Sequence, residues 1–420
     1  MTTNEFIERN RHEDVKKLAL SASRFPDVDM PYALQQISGW QAAQSKLPAW
    51  ASTEGLRFPK HISMEQCSSE TTARYKAQLA TRWMNLANIE NSTLTIEDST
   101  INNYTFVDLT GGFGVDFSYI AKAISAQLDK ENKQCKMLFV EQQEELCDIA
   151  LHNFPLLGIE NAEVCCADSV KAIDKIAHAD IVFLDPARRN LHGARTYSIA
   201  DCTPNILELQ ERLLNIADTV IVKLSPMLDY HKAIADLACV REVHIVGTKT
   251  ECKELLFVMS RNSSNSPVRL FCSIDGETLS LSLNDLELPV PIADTISEGM
   301  LVCEPSSCLM KTGAYGFICK EYNLKGIAQN SHLFVKEQDN DIRLDSFMRT
   351  FVVKKITTMN KRELRQAISG IERANIAVRN FPMSAPELRK RLKMKDGGTT
   401  YIFGTTDCHN HHIIIICKRK

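Results

Sequence analysis

The sequence predicts a doubly wound, mostly parallel α/β sheet of seven strands, with a helical segment before it and α+β segments after it. Three observations predict this fold. Between residues 100 and 262, β-forming segments alternate with helical patterns, which is typical of a parallel sheet. A glycine-rich turn follows the first of these strands, between Phe106 and Ala121. Acidic residues follow the next three strands, at the edge where open parallel sheets bind ligands.

Composition narrows the class of protein. The chain has 420 residues, of which 44% are hydrophobic and 24% charged, enough for two or three domains. No apolar run reaches the ~20 residues of a membrane span, and the N-terminal stretch MTTNEFIERNRHED carries acids where a signal peptide is apolar. The 14 cysteines show no disulfide-framework spacing, so we expect reduced thiols. These features predict a cytoplasmic protein without a membrane partner.

The pattern divides the chain into four predicted regions. Residues 1–95 have helical spacing, with a capped helix expected from SSETTARYK, at Ser68, onward. Residues 96–262 hold the seven-stranded sheet. Residues 263–345 form a small α+β segment by pattern. Residues 350–420 alternate strands with two short, strongly basic helices.

Seven strands are predicted in the second region. The last two are separated only by a short link, which excludes a parallel crossover and predicts an antiparallel hairpin. In chain order the strands are YTFVDL, KMLFVE, AEVCCAD, DIVFLDP, DTVIVKLSP, REVHIVGT and KELLFVMS.

The glycine-rich turn limits the ligand. A phosphate-binding GxxxxGK[ST] loop needs a lysine, and none follows before Lys122. A dinucleotide fingerprint would place its third glycine at Phe117. The turn therefore predicts a ligand that approaches bare backbone without phosphates. The residues that form the turn are Asp108, Thr110, Gly111, Gly112 and Gly114.

The acids at the ends of the following strands indicate which other groups the ligand has. Glu141 can accept bonds from both hydroxyls of a ribose, and Asp168 can accept a bond from the exocyclic amine of adenine. Each has a structural alternative: Glu141 as an acid at a helix start, and Asp168 as an N-cap. Adenosine joined to an amino acid satisfies the turn and both acids, which indicates S-adenosyl-L-methionine.

The order VDLTGGFGVD, FVE, CAD and FLDPARR resembles the class I S-adenosylmethionine-dependent methyltransferases, and most closely the ribosomal RNA guanine-N2 enzymes among them. The last seventy or so residues resemble the THUMP-like domain of some bacterial methyltransferases, which implies RNA binding. The resemblance covers residues 60–262 and 350–420. It implies that the turn residues and Asp108 hold the methionine part, Glu141 the ribose and Asp168 the adenine.

The resemblance places catalysis at Asp185, Pro186, Ala187 and Arg188. Fixed acceptors there would orient an amino group toward the methyl donor. The family's usual [DNS]PP followed by an aromatic residue is absent, which leaves the target atom open. A carbon-5 pyrimidine methyltransferase would need a cysteine nucleophile, and Ala187 and Ser225 stand at the positions where that cysteine is expected.

Residues 351–420 carry 15 Lys and Arg against 5 Asp and Glu, whereas residues 1–350 carry 34 against 47. A local excess of this size is typical of a polyanion-binding module, with a solvated basic face as the alternative. The residues that we expect to bind RNA are Arg362, Arg365, Arg389, Lys390, Arg391 and Lys393.

The stretch CHNHH, Cys408 to His412, lacks a second ligand pair of zinc-finger spacing, so no metal site is predicted. The sequence as a whole predicts a methyltransferase acting on rRNA or tRNA, on a base amino group such as guanine N2. The alternatives are an RNA-binding protein with an idle methyltransferase fold and a methyltransferase with a non-RNA substrate.

Overall fold

The computed structural model describes residues 1–91, 104–131, 133–188, 199–261, 267–337 and 346–420. The chain forms two compact units. Unit 1 consists of Met1–Val243 and Glu254–Ser266, and unit 2 of His244–Lys253 and Pro267–Lys420. The boundaries of the four predicted regions, which are finer than these two units, stay a prediction.

Helices fill the N-terminal part of unit 1, as the sequence predicts. Their N-caps are polar where the sequence offers Thr2, Asp14 and Asp29, whose side chains accept backbone N–H bonds. The helices are α1 (Thr3–Asn10), α2 (Val15–Leu20), α3 (Met30–Lys46), α4 (Pro48–Ala51), α5 (His61–Gln66) and α6 (Glu70–Asn91).

The seven predicted strands all form, but the sheet that holds them has nine strands. The prediction of seven is wrong because two strands after residue 266 join the same sheet. The strands are β1 (Tyr104–Asp108), β2 (Cys135–Glu141), β3 (Ala162–Cys166), β4 (Ala179–Leu184), β7 (Ala217–Leu224), β8 (Val240–Gly247), β9 (Cys252–Met259), β10 (Arg269–Ile274) and β11 (Glu277–Ser282). Two short strands, β5 (Ala187–Arg188) and β6 (Cys202–Thr203), form a separate antiparallel pair.

The strand order is β11-β10-β8-β9-β7-β4-β1-β2-β3. β1 runs parallel to β2 and β4, β2 to β3, and β4 to β7. β9 neighbours β8, to which the short link joins it, and runs antiparallel to β7 on its other side. The carboxyl ends of the five parallel strands therefore meet at one edge. The helices between them are α7 (Val115–Leu128), α8 (Glu144–Leu156), α9 (Ser169–Ile173), α10 (Ile206–Ile216) and α11 (Tyr230–Asp236).

An extended segment at Arg57 and Phe58 joins the N-terminal helices to this α/β layer. The buried amide of Gln36 accepts from the Phe58 N–H at 2.8 Å and donates to its carbonyl at 2.9 Å. The buried amide of Asn153, on α8, does the same for Arg57, at 2.8 and 2.9 Å. The Gln35 amide also donates to the Phe58 carbonyl, at 3.0 Å, so side-chain amides satisfy the backbone of this extended segment.

Phenylalanines support the glycine-rich turn from below. Phe117, Phe139 and Phe154 pack with ring centroids 4.9–5.3 Å apart. Phe113, within the turn, contacts Trp50 edge-on at 4.9 Å between centroids. The N-terminal helices therefore help to fix the conformation of the turn.

Unit 2 contains a seven-stranded sheet of order β13-β14-β12-β15-β18-β17-β16. The long strand β15 pairs antiparallel with β12 and β18, so the later part of segment 263–345, from β12 onward, shares one sheet with segment 350–420. The elements are β12 (Leu301–Pro305), α12 (Ser307–Lys311), α13 (Tyr315–Tyr322), β13 (Lys325–Gly326), β14 (Phe334–Lys336), β15 (Met348–Thr358), α14 (Lys361–Ala367), β16 (Asn375–Arg379), α15 (Ala385–Leu392), β17 (Thr400–Thr406) and β18 (His412–Arg419).

The β17–β18 hairpin is buried on both faces. Ile402, Ile414 and Ile416 pack with α14 and α15 through Leu364 and Leu388. The alternate residues of both strands face a second cluster on the other side, as the two-residue period of strands requires. Both basic helices therefore lie on the same face of this sheet.

Within the described ranges, none of the helices combines the length and the hydrophobicity that crossing a membrane requires.

We predict that Asn153→Ala lowers the free energy of unfolding of the full chain by about 1–3 kcal/mol, because it removes a buried amide and both of its hydrogen bonds to the Arg57 backbone. Urea unfolding measures the loss. His152→Ala is the matched control, since the neighbouring His152 is only half-buried and, within the described part of the chain, its ring bonds only to the Gly55 carbonyl, at 2.8 Å. Equal stability of the two variants would contradict the bracing role of Asn153.

Candidate active site

The glycine-rich turn needs its glycines for space and for backbone angle. A Cβ on Gly111 would lie 2.1 Å from the Phe139 ring, so no larger residue fits there. Gly114 precedes α7 with φ +83°, and a Cβ there would lie 2.9 Å from Phe154. The turn thus lies flat on the aromatic cluster and presents backbone on its other side.

Glu141 holds the turn from the neighbouring strand. Its Oε2 accepts from the Gly112 N–H at 2.8 Å, and its Oε1 accepts from the Gln143 N–H at 2.8 Å. Each carboxylate oxygen keeps a further lone pair for another donor. Glu141 is buried at the end of β2, which fits an acid that serves the turn and has capacity for a ligand.

Asp168 is the N-cap of α9. Its Oδ1 accepts from the N–H groups of Val170 and Lys171 at 3.0 and 3.2 Å. The strand before it ends at Cys166, two residues earlier than the CCAD pattern suggests. The side chain is exposed, and the cap uses only one of its two oxygens among the described contacts. The structural role is therefore present, and it leaves Oδ2 for a ligand.

Asp108 ends β1 beneath the turn and is almost fully buried. Burial raises the pKa of its carboxyl well above the usual range. The Thr110 N–H, which donates to Oδ1 at 2.9 Å, opposes that shift, and the charges of Asp116, Asp185 and Glu141 add to it. A cation bound nearby would reverse this effect.

Thr110 lies at the start of the turn, before Gly111 and Gly112. Its hydroxyl oxygen accepts from the Asp185 N–H at 2.6 Å. This bond joins the turn after β1 to the loop after β4. A glycine at this position could not make that bond, because it has no side chain.

Asp185 forms an ion pair with Lys223. The Asp185 Oδ2 lies 2.5 Å from the Lys223 Nζ. Lys223 comes from β7, which neighbours β4 in the sheet. The Asp185 side chain is 37% exposed and that of Lys223 is 12% exposed, so the carboxylate lies at the surface side of the pair.

A buried charge network continues behind Lys223. The Ser68 hydroxyl, just before α6, donates to Asp116 at 2.7 Å and accepts from Lys76 at 3.1 Å and from Lys223 at 3.3 Å. Lys76, on α6, is fully buried and pairs with Glu254 of β9 at 2.6 Å and with Asp116 of α7 at 3.2 Å. We call Ser68, Lys76, Asp116, Asp185, Lys223 and Glu254 the charge network.

Burial and the neighbouring charges shift the pKa values of three members of this network: Lys223, Asp116 and Glu254. Burial alone would lower the pKa of Lys223, but the carboxylates of Asp185, Asp116 and Glu254 raise it above its ordinary value. Burial opposes the charge of Asp116, yet the ammonium groups of Lys76 and Lys223 lower its pKa. Burial raises the pKa of Glu254, against the opposing effect of the two lysines. Lys223 is thus held as a cation beside Asp185.

The other predicted residues of the DPAR stretch lie next to Asp185. Pro186 is buried, and Ala187 is exposed and pairs with Thr203 through β5 and β6. Arg188 ends β5, and its side chain lies outside the described part of the structure. Pro186 and the β5–β6 pair restrict the loop that carries Asp185.

The basic residues predicted to bind RNA lie on α14 and just after or within α15. Arg389 is half-buried and pairs with Asp396 at 2.5 Å. The other five are exposed and form no ion pair within the described part of the chain: Arg362, Arg365, Lys390, Arg391 and Lys393. Since both helices lie on one sheet face, these cations are available on the same side of unit 2.

The CHNHH stretch gains a third candidate ligand from a distant segment. The ligand atoms of Asp294, Cys408 and His409 lie within 4.8 Å of one another. The His409 ring lies 3.2 Å from the Asp294 carbonyl oxygen, and Asp294 and His409 are exposed. Sequence spacing alone does not bring Asp294 to this turn.

Of the charge network, only Asp185 was predicted as a site residue; Ser68 was expected only at the start of a helix, and Lys76, Asp116, Lys223 and Glu254 were not predicted. Lys76 and Glu254 stand inside regular helix and strand patterns, where a charge is ordinarily taken to be on a solvated face. Asp116 reads as an acid in the first turn of a helix. The sequence signal was a charged residue on an otherwise apolar face of a helix or strand.

Comparison with known proteins supports this architecture. A family model described as THUMP domain-like matches residues 348–419, and a ferredoxin-like domain model matches residues 302–342. A search of curated proteins finds no match. A crystal structure described as a "putative methyltransferase" from Porphyromonas gingivalis W83 is 28% identical, covers 99% of this chain and 96% of its own, and superposes with a TM-score of 0.79.

Other solved structures align over shorter ranges. An rRNA methylase from Streptococcus thermophilus is 13% identical over 38% of this chain and 87% of its own, with a TM-score of 0.27. These values are too low to carry an argument, whereas the Porphyromonas structure spans both units. The chain has the class I methyltransferase fold and carries a THUMP-like domain at its C-terminus.

Proposed function

We propose that the protein is an S-adenosyl-L-methionine-dependent methyltransferase that acts on RNA. The observation that carries this proposal is the convergence of Asp108, Glu141, Asp168 and Asp185 at the carboxyl edge of one sheet, around a turn that exposes its backbone. Four acids at one ligand-binding edge favour a polar ligand with several hydrogen-bond donors. An idle scaffold would not need this arrangement.

The residues present suit the methyl donor. Glu141 keeps one free acceptor site on each oxygen, which suits the two ribose hydroxyls, and Asp168 keeps Oδ2 for the adenine amine. Gly111 packs against the Phe139 ring, and a Cβ on Gly112 would have room around it, so the turn offers bare backbone to the methionine part. Asp108 lies in an environment rich in carboxylates, which favours a cationic amino acid with its sulfonium. The donor supplies an activated methyl group, and these residues bind and orient it.

The proposal that RNA is the substrate rests on features of unit 2. The THUMP-like match coincides with the segment that carries the exposed cations of α14 and α15. Exposed arginines and lysines on one face suit phosphate contacts, which position a nucleic acid without reading its sequence. We propose rRNA or tRNA as the RNA class, in line with the sequence resemblance.

We assign the binding of the methyl acceptor to Asp185. The sequence resemblance implies a base amino group such as guanine N2. The Asp185 carboxylate would accept hydrogen bonds from the N–H groups of that amine. In that case Asp185 orients the nitrogen lone pair toward the methyl group, as a fixed acceptor. Lys223 is an additional cation that a carboxylate site for an amine does not require.

We predict that Glu141→Ala weakens binding of S-adenosylhomocysteine by about 1–3 kcal/mol, because the Gly112 N–H and the ribose hydroxyls lose their shared acceptor. Isothermal titration calorimetry measures the change. Glu144→Ala is the matched control, because Glu144 is an exposed acid nearby, in the first turn of α8. Equal affinities of the two variants would show that Glu141 has only a structural role and does not bind the ligand.

We predict that Asp185→Asn reduces the rate of methyl transfer by about 10²–10³-fold, the usual cost of losing one preorganised polar partner. Affinity for S-adenosylhomocysteine should stay within a few-fold, since Asp185 is assigned to the acceptor. Single-turnover transfer to RNA measures the rate, with Asp174→Asn, an exposed acid paired with Arg212, as the control. Unchanged turnover would remove Asp185 from the catalytic machinery.

We predict that replacing Arg362, Arg365, Lys390, Arg391 and Lys393 together by Ala lowers RNA affinity at least about tenfold at low salt and makes its salt dependence shallower. Each lost phosphate contact should reduce the slope of log K against log salt by about 0.7 for single-stranded RNA. Filter binding across salt concentrations measures both effects.

Substitution is a cleaner test than deletion of residues 350–420, because deletion would remove β15 from the middle of its sheet. The control variant replaces the exposed Lys16, Lys17, Lys171 and Lys175 of unit 1. An unchanged salt slope in the unit 2 variant would show that its cations form only a solvated face.

A further inference from the structure

Positive and negative side chains alternate in the charge network, from the buried Lys76–Glu254 pair to Asp185, the residue that we assign to the methyl acceptor. Lys76, Lys223, Asp185 and Glu254 come from α6, β7, the loop after β4, and β9. Their contacts run from the fully buried Lys76–Glu254 pair, at 2.6 Å, through Ser68 to the Lys223–Asp185 pair, at 2.5 Å. Only Asp185 at its outer end is substantially exposed.

Stability alone does not account for this arrangement. Buried ion pairs contribute little net stability, and well-packed apolar residues often replace them without loss. Two lysines and three carboxylates here lie at the edge of the sheet where a methyltransferase fold binds its substrates. Buried charges in such a cleft are candidates for a functional role.

The Lys223 ammonium distinguishes between two kinds of methyl acceptor. An amine gains positive charge as its nitrogen attacks a methyl group, so a cation beside the acceptor raises the barrier. A hydroxyl must lose its proton, and its oxygen gains negative charge, which a cation at hydrogen-bond distance stabilises. The position of Lys223 Nζ, 2.5 Å from Asp185 Oδ2, therefore favours an oxygen acceptor.

We propose that the methyl acceptor is a ribose 2′-hydroxyl of RNA, with Asp185 and Lys223 as its catalytic residues. This inference rests on the proposed function and replaces the base amine with a sugar hydroxyl as the target group. The 2′-hydroxyl is the group that distinguishes RNA from DNA, and it lies on the backbone that the cations of unit 2 would hold.

The loops beside Asp185 agree with a sugar target. An enzyme that modifies a base extrudes it and holds it between aromatic or apolar side chains. Residues 185–187 and 225–229, which the structure describes, contain no aromatic side chain. A ribose hydroxyl is reached without extruding the base and needs no such platform.

The transfer step balances with the residues present. The hydroxyl oxygen attacks the methyl carbon of the donor, and the carbon–sulfur bond breaks with its electron pair on sulfur, which becomes a neutral thioether. The hydroxyl proton passes to the Asp185 carboxylate and then to water. Lys223 donates to the oxygen while its negative charge develops.

Lys76 and Glu254 are positioning residues in this account. Lys76 neutralises the buried Glu254 and shares Asp116 and Ser68 with Lys223. Without Lys76, two buried carboxylates would draw the Lys223 ammonium inward. The buried pair thus keeps Lys223 directed at Asp185.

The test uses the full chain, S-adenosylmethionine with a labelled methyl group, and total RNA from cells that lack the protein. The RNA is digested to nucleosides, and mass spectrometry assigns the label to the ribose or to the base after glycosidic cleavage. We expect label on the ribose and an adjacent phosphodiester that resists alkali. Label on a base would overturn this inference while supporting RNA methylation, and failure to label any RNA would contradict both proposals.

Variants test the role of Lys223. Lys223→Met should lower the single-turnover rate at least about 10²-fold with S-adenosylhomocysteine affinity within a few-fold, and Lys223→Arg should recover part of the rate. The double variant with Asp185→Asn should be little slower than either single variant, because the two residues act on one oxygen. Lys136→Met, at an exposed lysine of β2, is the control.

A Lys223→Met protein that binds S-adenosylhomocysteine and transfers methyl groups at the wild-type rate would overturn the assignment. If Lys223→Met fails to bind S-adenosylhomocysteine, Lys223→Arg decides: a rate as low as that of the methionine variant, with binding intact, would also overturn it.

Discussion

The ion pair between Asp185 and Lys223 is the interaction on which the proposed site depends. It joins the ends of two neighbouring parallel strands, and the strand order of the sheet makes that contact possible. Thr110 fixes the Asp185 backbone from the turn after β1. The loop that we assign to the acceptor and the turn that we assign to the methyl donor are therefore held together by one short bond. The remaining charges behind Lys223 compensate the cost of burying it.

The N-terminal helices have a direct part in this arrangement. α6 supplies Lys76, and Ser68 lies just before its first turn. The amides of Gln36 and Asn153 fix the segment at Arg57 and Phe58 against α8. The helical region is consequently part of unit 1 in structural terms, and it supplies one of the buried lysines of the charge network.

The sequence was sufficient for the strand-end acids and for the glycine turn, because both follow from local patterns. It was insufficient for Lys76 and Glu254, because a charge inside a helix or strand pattern gives no sign that a distant partner neutralises it. The nine-stranded sheet was missed for a related reason: the pairing of β10 and β11 with the first seven strands is a long-range choice. Thr110 was predicted as part of the turn, but nothing in the local pattern indicates that its hydroxyl has a partner 75 residues away.

The account as a whole depends on the sheet edge being a binding site for an S-adenosyl ligand. Calorimetric titration of the full chain with S-adenosylhomocysteine tests this most directly. We predict saturable binding with one site per chain and a rise in melting temperature in the presence of the ligand, because a ligand that binds only the folded state stabilises it. No heat of binding together with an unchanged melting temperature would contradict the account and favour a methyltransferase fold retained as a scaffold.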